Sequence, residues 1–123
     1  MNLLVWNCRG LGNPRIVREL GDYIQAKDPA VVFLAETWTN DARLDEVLHN
    51  FNFTNKWSVP SGHRGGGLLL LWKDDIRVSV EDSSKYCIDA LVEKNTPQEW
   101  RFTGFYGELV THRRYEADRK SVV

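Results

Sequence analysis

Two short runs near the start of the chain, Leu3-Leu4-Val5-Trp6 and Val31-Val32-Phe33-Leu34-Ala35, are apolar at every position. A strand with one face in water alternates apolar with polar residues. One that is apolar on both alternating faces needs cover from both sides. Between the runs, Asn13-Pro14 reads as an N-cap followed by proline at the first helical position. Ile16, Val17, Leu20, Tyr23 and Ile24 then form one stripe of an amphipathic helix over Pro14–Ala26. Lys27 suits the negative end of that helix, and Asp28-Pro29 stops it. Strand, helix, strand in this order predicts a βαβ unit with a parallel strand pair.

Further along, Asn40 is placed to cap a second helix, Asp41–His49, with Leu44, Val47 and Leu48 as its buried stripe. From Phe51 onward the pattern is one of strands. Trp57 and Val59 mark a short one, and Leu68 to Trp72 a strong one opened by Gly65-Gly66-Gly67. Ile76, Val78 and Val80 alternate after a Lys73-Asp74-Asp75 turn. Tyr86, Ile88, Ala90 and Val92 alternate again, and Trp100, Phe102, Gly104 and Tyr106 follow the Asn95-Thr96-Pro97 turn. Thr111 to Lys120 is polar and reads as a weakly anchored helix or a tail. The expected fold is α/β: one mixed β-sheet of about six or seven strands with two helices on one face.

Composition narrows the function classes. The chain has 123 residues, 42% hydrophobic and 27% charged, enough for one domain with a core. Sixteen Lys+Arg against seventeen Asp+Glu give a net charge of −1. A general polyanion binder would carry a basic excess, so any contact with nucleic acid must come from a local cluster. No apolar run approaches the length of a membrane helix, and the N-terminus lacks the pattern of a signal peptide. Two cysteines, Cys8 and Cys87, make neither a disulfide framework nor a metal knuckle, so an intracellular protein, nuclear or cytoplasmic, is expected.

The residues that carry chemistry stand at strand ends. Asn7 follows the first buried run and Glu36 the second. In a sheet with parallel neighbours, ligand sites lie outside the carboxyl ends of the strands, so the two should meet at one edge. An amide oxygen and a carboxylate are hard donors suited to Mg²⁺, which keeps several waters and needs few protein groups. The same residues also read as a loop cap and as the first exposed position after a strand. Gly65-Gly66-Gly67 lacks the lysine and the helix of a P-loop and reads as a tight turn leading into a strand. Arg64, Arg9 and Arg15 could together form a basic patch toward DNA. Trp38, next to Glu36-Thr37, could stack on a base.

In order along the chain, Trp6-Asn7-Cys8-Arg9-Gly10-Leu11-Gly12, Phe33-Leu34-Ala35-Glu36-Thr37, Gly65-Gly66-Gly67-Leu68-Leu69-Leu70-Leu71-Trp72 and Phe102-Thr103-Gly104-Phe105-Tyr106-Gly107 resemble the endonuclease/exonuclease/phosphatase superfamily. They are most similar to the endonuclease-like domains of plant non-LTR retrotransposons. The resemblance implies a Mg²⁺-dependent phosphodiesterase acting on DNA. It also implies a four-layer α/β/β/α sandwich, of which residues 1–117 would be the N-terminal half and 118–123 a divergent tail. By position, Asn7 and Glu36 correspond to metal ligands, and Tyr106 to the tyrosine that closes the site on the phosphate. Glu36 and Tyr106 would thus be the catalytic residues, with Arg9, Arg64 and Trp38 toward nucleic acid.

The family's later Gly-Asp-Phe-Asn-type and Ser-Asp-His-type motifs, which supply an aspartate that orients water and a histidine at the phosphate, do not occur in the sequence. Arg9 also stands where many active relatives carry a short polar or acidic residue. These departures imply a domain inactive by itself. They leave open a non-catalytic remnant, or an interaction module that associates with a second copy or with a missing C-terminal half. Runs apolar on both faces, with helices available for one face only, predict a bare sheet face and hence a homodimer packed sheet to sheet, a partner that plays this role, or aggregation.

Overall fold

The computed structural model describes residues 2–39, 41–60, 66–105 and 108–112. The chain runs β1 (Leu3–Asn7), α1 (Pro14–Lys27), β2 (Val31–Ala35), α2 (Asp41–Leu48), β3 (Asn55–Val59), β4 (Leu68–Trp72), β5 (Val78–Ser84), β6 (Cys87–Val92), β7 (Trp100–Phe105) and β8 (Glu108–His112). The expected βαβ unit is present: β1 and β2 are parallel neighbours, in register from Leu3↔Val31 to Asn7↔Ala35. Helix α1 begins as its sequence suggests, with the Asn13 side chain accepting from the Arg15 backbone N–H at 2.9 Å and proline in the first turn.

The strands form two sheets rather than one. The first has the order β1-β2-β4-β3 and the second β5-β6-β7-β8. This corrects the expected single sheet of six or seven strands, and the reason lies in β4. Both of its edges are taken, by β2 on one side and β3 on the other, so β5 has no edge of β4 to join. The chain crosses instead to start an antiparallel meander, β5 to β8. That meander also claims Thr111 and His112, where the sequence pointed to a helix or tail. β5 continues past its apolar alternation into Glu81–Ser84 through an irregularity between Val80 and Asp82. Such an irregularity is tolerable on a sheet's edge strand.

The second sheet explains the doubly apolar strands. Leu3, Val5, Val31, Phe33, Ala35, Leu68 and Leu70 face Ile88, Ala90, Val92, Trp100 and Phe102 of the second sheet. The alternate residues Leu4, Val32, Leu34, Leu69 and Leu71 pack with Leu20 of α1 and with Leu44, Val47 and Leu48 of α2. Both helices therefore lie on one face, as expected, and the layers run helix, sheet, sheet. The face expected to be bare is covered, with Leu3, Val31 and Leu70 fully buried and Phe33 nearly so. The ground for a homodimer packed through that face falls away. The outer face of the second sheet carries polar groups alongside Leu91 and Phe105. There Asp89 accepts from Arg101 through both carboxylate oxygens (2.9 and 3.0 Å) and from the Thr103 hydroxyl. No helix among the described residues is long and apolar enough to cross a membrane.

Candidate functional site at the carboxyl end of the first sheet

Three segments converge where β1 and β2 end. Because Asn7 pairs with Ala35, Glu36 leaves the same end of the sheet one residue later. β4 is antiparallel to β2, so its beginning, Gly66-Gly67-Leu68, arrives at that end as well. Backbone hydrogen bonds lace the three together beyond the strands. The N–H groups of Cys8, Gly10 and Leu11 donate to the carbonyls of Ala35, Glu36 and Thr37 at 3.0, 3.0 and 2.8 Å. Those of Thr37 and Trp38 donate to Gly67 and Gly66 at 3.2 and 3.0 Å.

This lacing forces unusual backbone. Arg9, Glu36 and Trp38 all hold left-handed conformations (φ 52, 55 and 54°). Left-handed backbone costs a non-glycine residue about 1–2 kcal/mol and persists only where surrounding bonds over-determine it. The glycines at 66 and 67, with φ of 86 and 95°, place their carbonyls toward the Glu36 loop without that cost. The role expected of the glycine run, a tight lead-in to β4, is borne out in the two glycines described, and they also brace the site.

Arg9 and Glu36 meet at this end of the sheet, Trp38 lies over Gly10, and Asn7 stands at the end of the neighbouring strand. Asn7 continues the Leu3, Val5 alternation and so lies on the side of β1 that faces the second sheet. Its Oδ1 is buried and has no hydrogen-bond partner. The Glu36 side chain is only 17% exposed, and the Arg9 Nε lies 3.5 Å from its Oε2. Trp38 is 50% exposed and lies across Gly10, where a Cβ would stand 3.1 Å from the ring's Cε3. Cys8 is buried, and its thiol donates to the Ala35 carbonyl at 3.4 Å. Burial pushes the thiol's pKa up to about 11, so it stays protonated at neutral pH.

Thr37 was quoted in the sequence only as part of a motif, with no role. Its side chain is buried, and its Oγ1, like Asn7 Oδ1, has no partner. Nothing in a one-sequence reading marks that hydroxyl, which lies in a loop whose backbone bonds reach Gly67 and Leu11. Tyr106 and Arg64 lie outside the described residues, as do the Asn40 cap and the 118–123 tail. Arg15 sits on the first turn of α1.

Asn7 Oδ1, buried and without a hydrogen-bond partner, and the Glu36 carboxylate, which leaves the same end of the sheet, are hard oxygen donors of the kind Mg²⁺ takes. Among the described residues there is no group of three or more His, Cys, Asp and Glu side chains that would form a self-sufficient metal cage.

A helix-backed sheet packed on a second sheet, with polar groups gathered at the strand ends, is the architecture of a nuclease-like sandwich. The chain belongs to the endonuclease/exonuclease/phosphatase family, which it matches over residues 4–119. Among solved structures it is similar to the AP endonuclease LMAP from Leishmania major, at 15% identity with a TM-score of 0.54, over 83% of this chain and 38% of that one. It is similar to the 3′ phosphatase NExo from Neisseria bound to product DNA hairpin, at 14% identity with a TM-score of 0.53, over 81% and 39%. It is also similar to D. rerio TDP2 complexed with single strand DNA product, at 18% identity with a TM-score of 0.55, over 81% and 43%. The chain thus spans about two-fifths of the length of these neighbours. A comparison with curated proteins gives no match.

Proposed function

We propose that the chain is a retrotransposon-derived part of a Mg²⁺-dependent DNA phosphodiesterase, residues 1–117 forming the N-terminal half of the domain. In this reading it engages a cation and DNA at the end of the first sheet and does not cleave by itself. The observation that carries the reading is the buried, unpartnered Asn7 Oδ1 at the same end of the sheet from which Glu36 leaves. Solved neighbours named as an endonuclease and as enzymes in complex with DNA products support DNA as the ligand class. Free Cys8 and Cys87 agree with an intracellular setting, nuclear or cytoplasmic.

Each residue then has a task. Asn7 and Glu36 would hold the cation, which when bound polarises a phosphate oxygen and steadies a leaving oxygen. Trp38 offers half of its surface as a stacking platform for a base, and its left-handed backbone and the Gly10 contact fix where the indole stands. Arg9 and Arg64 provide positive charge toward the phosphate backbone, and the Tyr106 hydroxyl would donate to a non-bridging oxygen. The chain has no Asp-His pair and no Gly-Asp-Phe-Asn motif to prepare a water. A positioned acid or base contributes about 10²–10⁴-fold, so lacking both leaves little catalysis. The alternative reading, a module associating through an uncovered sheet, loses the observation it rested on, since the second sheet covers that face.

Titration with a short single-stranded DNA in Mg²⁺ tests the binding half of this reading. Trp38→Ala should weaken affinity by about 1–3 kcal/mol, the range for one base–aromatic stack, and Glu36→Ala should remove the dependence on Mg²⁺. Affinity indifferent to both changes would place the DNA elsewhere or nowhere. Plasmid nicking tests the catalytic half. The parent chain in Mg²⁺ should match its Glu36→Ala variant at background. Nicking that Glu36→Ala abolishes would show that the absent motifs are replaced within this chain.

A further inference from the structure

Glu36 enters the site with a counter-ion already beside it. Arg9 Nε stands 3.5 Å from Glu36 Oε2, with the arginine side chain 72% exposed and the glutamate 17%. A carboxylate largely withdrawn from water is thus compensated from the solvent side, and a lone buried charge would be costly. The pairing is built into the backbone. The N–H groups on either side of Arg9, those of Cys8 and Gly10, are both bonded to β2 and its extension, at Ala35 and Glu36. Arg9 and Glu36 both hold left-handed conformations, so their side chains leave the two loops from fixed points. The orphaned Asn7 Oδ1 lies at the end of the neighbouring strand.

We infer that Arg9 is the resident counter-ion of Glu36, and that a divalent cation binds at the Asn7–Glu36 end of the sheet only by displacing its guanidinium. This rests on the reading of that end as a cation site. The guanidinium yields the carboxylate only by moving away from it. Its exposed, flexible stem permits that movement. The consequence is a site whose affinity for divalent cations is set lower than its oxygen donors alone would give, by a competitor carried on the chain.

Binding of Mn²⁺ to the purified chain, followed by the loss of the free-ion electron paramagnetic resonance signal and reversed with Mg²⁺, tests the inference without an activity assay. Breaking a partly exposed ion pair before the cation can bind weakens binding by up to about fivefold, so Arg9→Gln should bind Mn²⁺ several times more tightly than the parent. Arg9→Lys, which keeps the charge, should stay close to the parent. Arg18→Gln, which removes an exposed charge from α1, should leave affinity unchanged. Glu36→Gln should lose binding. Loss in Glu36→Gln without a gain in Arg9→Gln would overturn the counter-ion role while the cation site stands. Equal binding by all variants, or binding by none, would overturn both.

Discussion

Phe33→Ala should lower the stability of the chain by about 3–5 kcal/mol, the range for removing a buried phenylalanine. Phe33 stands at the centre of the sandwich, on the inner face of β2, and is 1% exposed. Its ring lies 5.1 Å from that of Phe102 on the opposing sheet, tilted by 56°. The substitution removes an aromatic contact as well as buried area, and two rigid sheets can close little of the cavity. A domain of this size holds about 5–15 kcal/mol in all, so the loss takes a large share of it. Urea unfolding should show a lower midpoint at an unchanged slope. Phe105→Ala, on the outer face of β7 where the ring is 37% exposed, is the control and should change stability far less. Equal effects of the two would mean that the sheets are not held together through Phe33.

That core also shows how far the sequence could be read. The β1–α1–β2 unit was legible because three independent signals agreed: runs apolar on both faces, an Asn-Pro helix start and a 3.6-residue stripe. Leu68 to Trp72 was legible as a strand from a short apolar run opened by glycines. The division into two sheets was not. Local alternation says which residues share a face but not which strands are neighbours. The deciding fact, that β4 is flanked by both β2 and β3, is a pairing between segments distant in sequence. The doubly apolar strands carried the clue, for they required a second covering layer, and β5 to β8 within the same chain supply it.

The site was legible to the same depth. Asn7 and Glu36 could be placed at one sheet end from strand order alone, because parallel neighbours in a βαβ unit end together. The Arg9–Glu36 ion pair could not, since it depends on two left-handed residues held by cross-segment hydrogen bonds. Nor could the unpartnered Thr37 hydroxyl. Three of the six left-handed non-glycine residues among the described residues, Arg9, Glu36 and Trp38, fall together at this end of the sheet.

Gly104→Ala should destabilise the chain by about 1–3 kcal/mol despite adding only a methyl group. Gly104 lies within β7 in the inter-sheet layer, where glycine is a poor strand former and would be better replaced by almost any residue on propensity alone. What requires it is space. A Cβ there would stand 2.6 Å from Phe33 Cζ and 2.8 Å from Phe102 Cζ, closer than carbon atoms can approach. Neither ring is an exposed end that can swing aside, since Phe33 and Phe102 are both buried. The sheets or the rings must shift, and the entropy that alanine removes from the unfolded chain, about 0.4–1 kcal/mol, does not offset that. The cause predicts its own remedy. Phe33→Leu trims two of the three clashing atoms, Cζ and Cε1, and by itself costs stability through lost volume, but in the double variant it leaves the new methyl only the Phe102 contact to relieve. Gly104→Ala and Phe33→Leu together should therefore cost less than the sum of their separate effects, by about 0.5–3 kcal/mol of coupling. Strict additivity in urea unfolding would show that Gly104 is required for some reason other than the ring of Phe33, and would count against the close approach of the two sheets at that point.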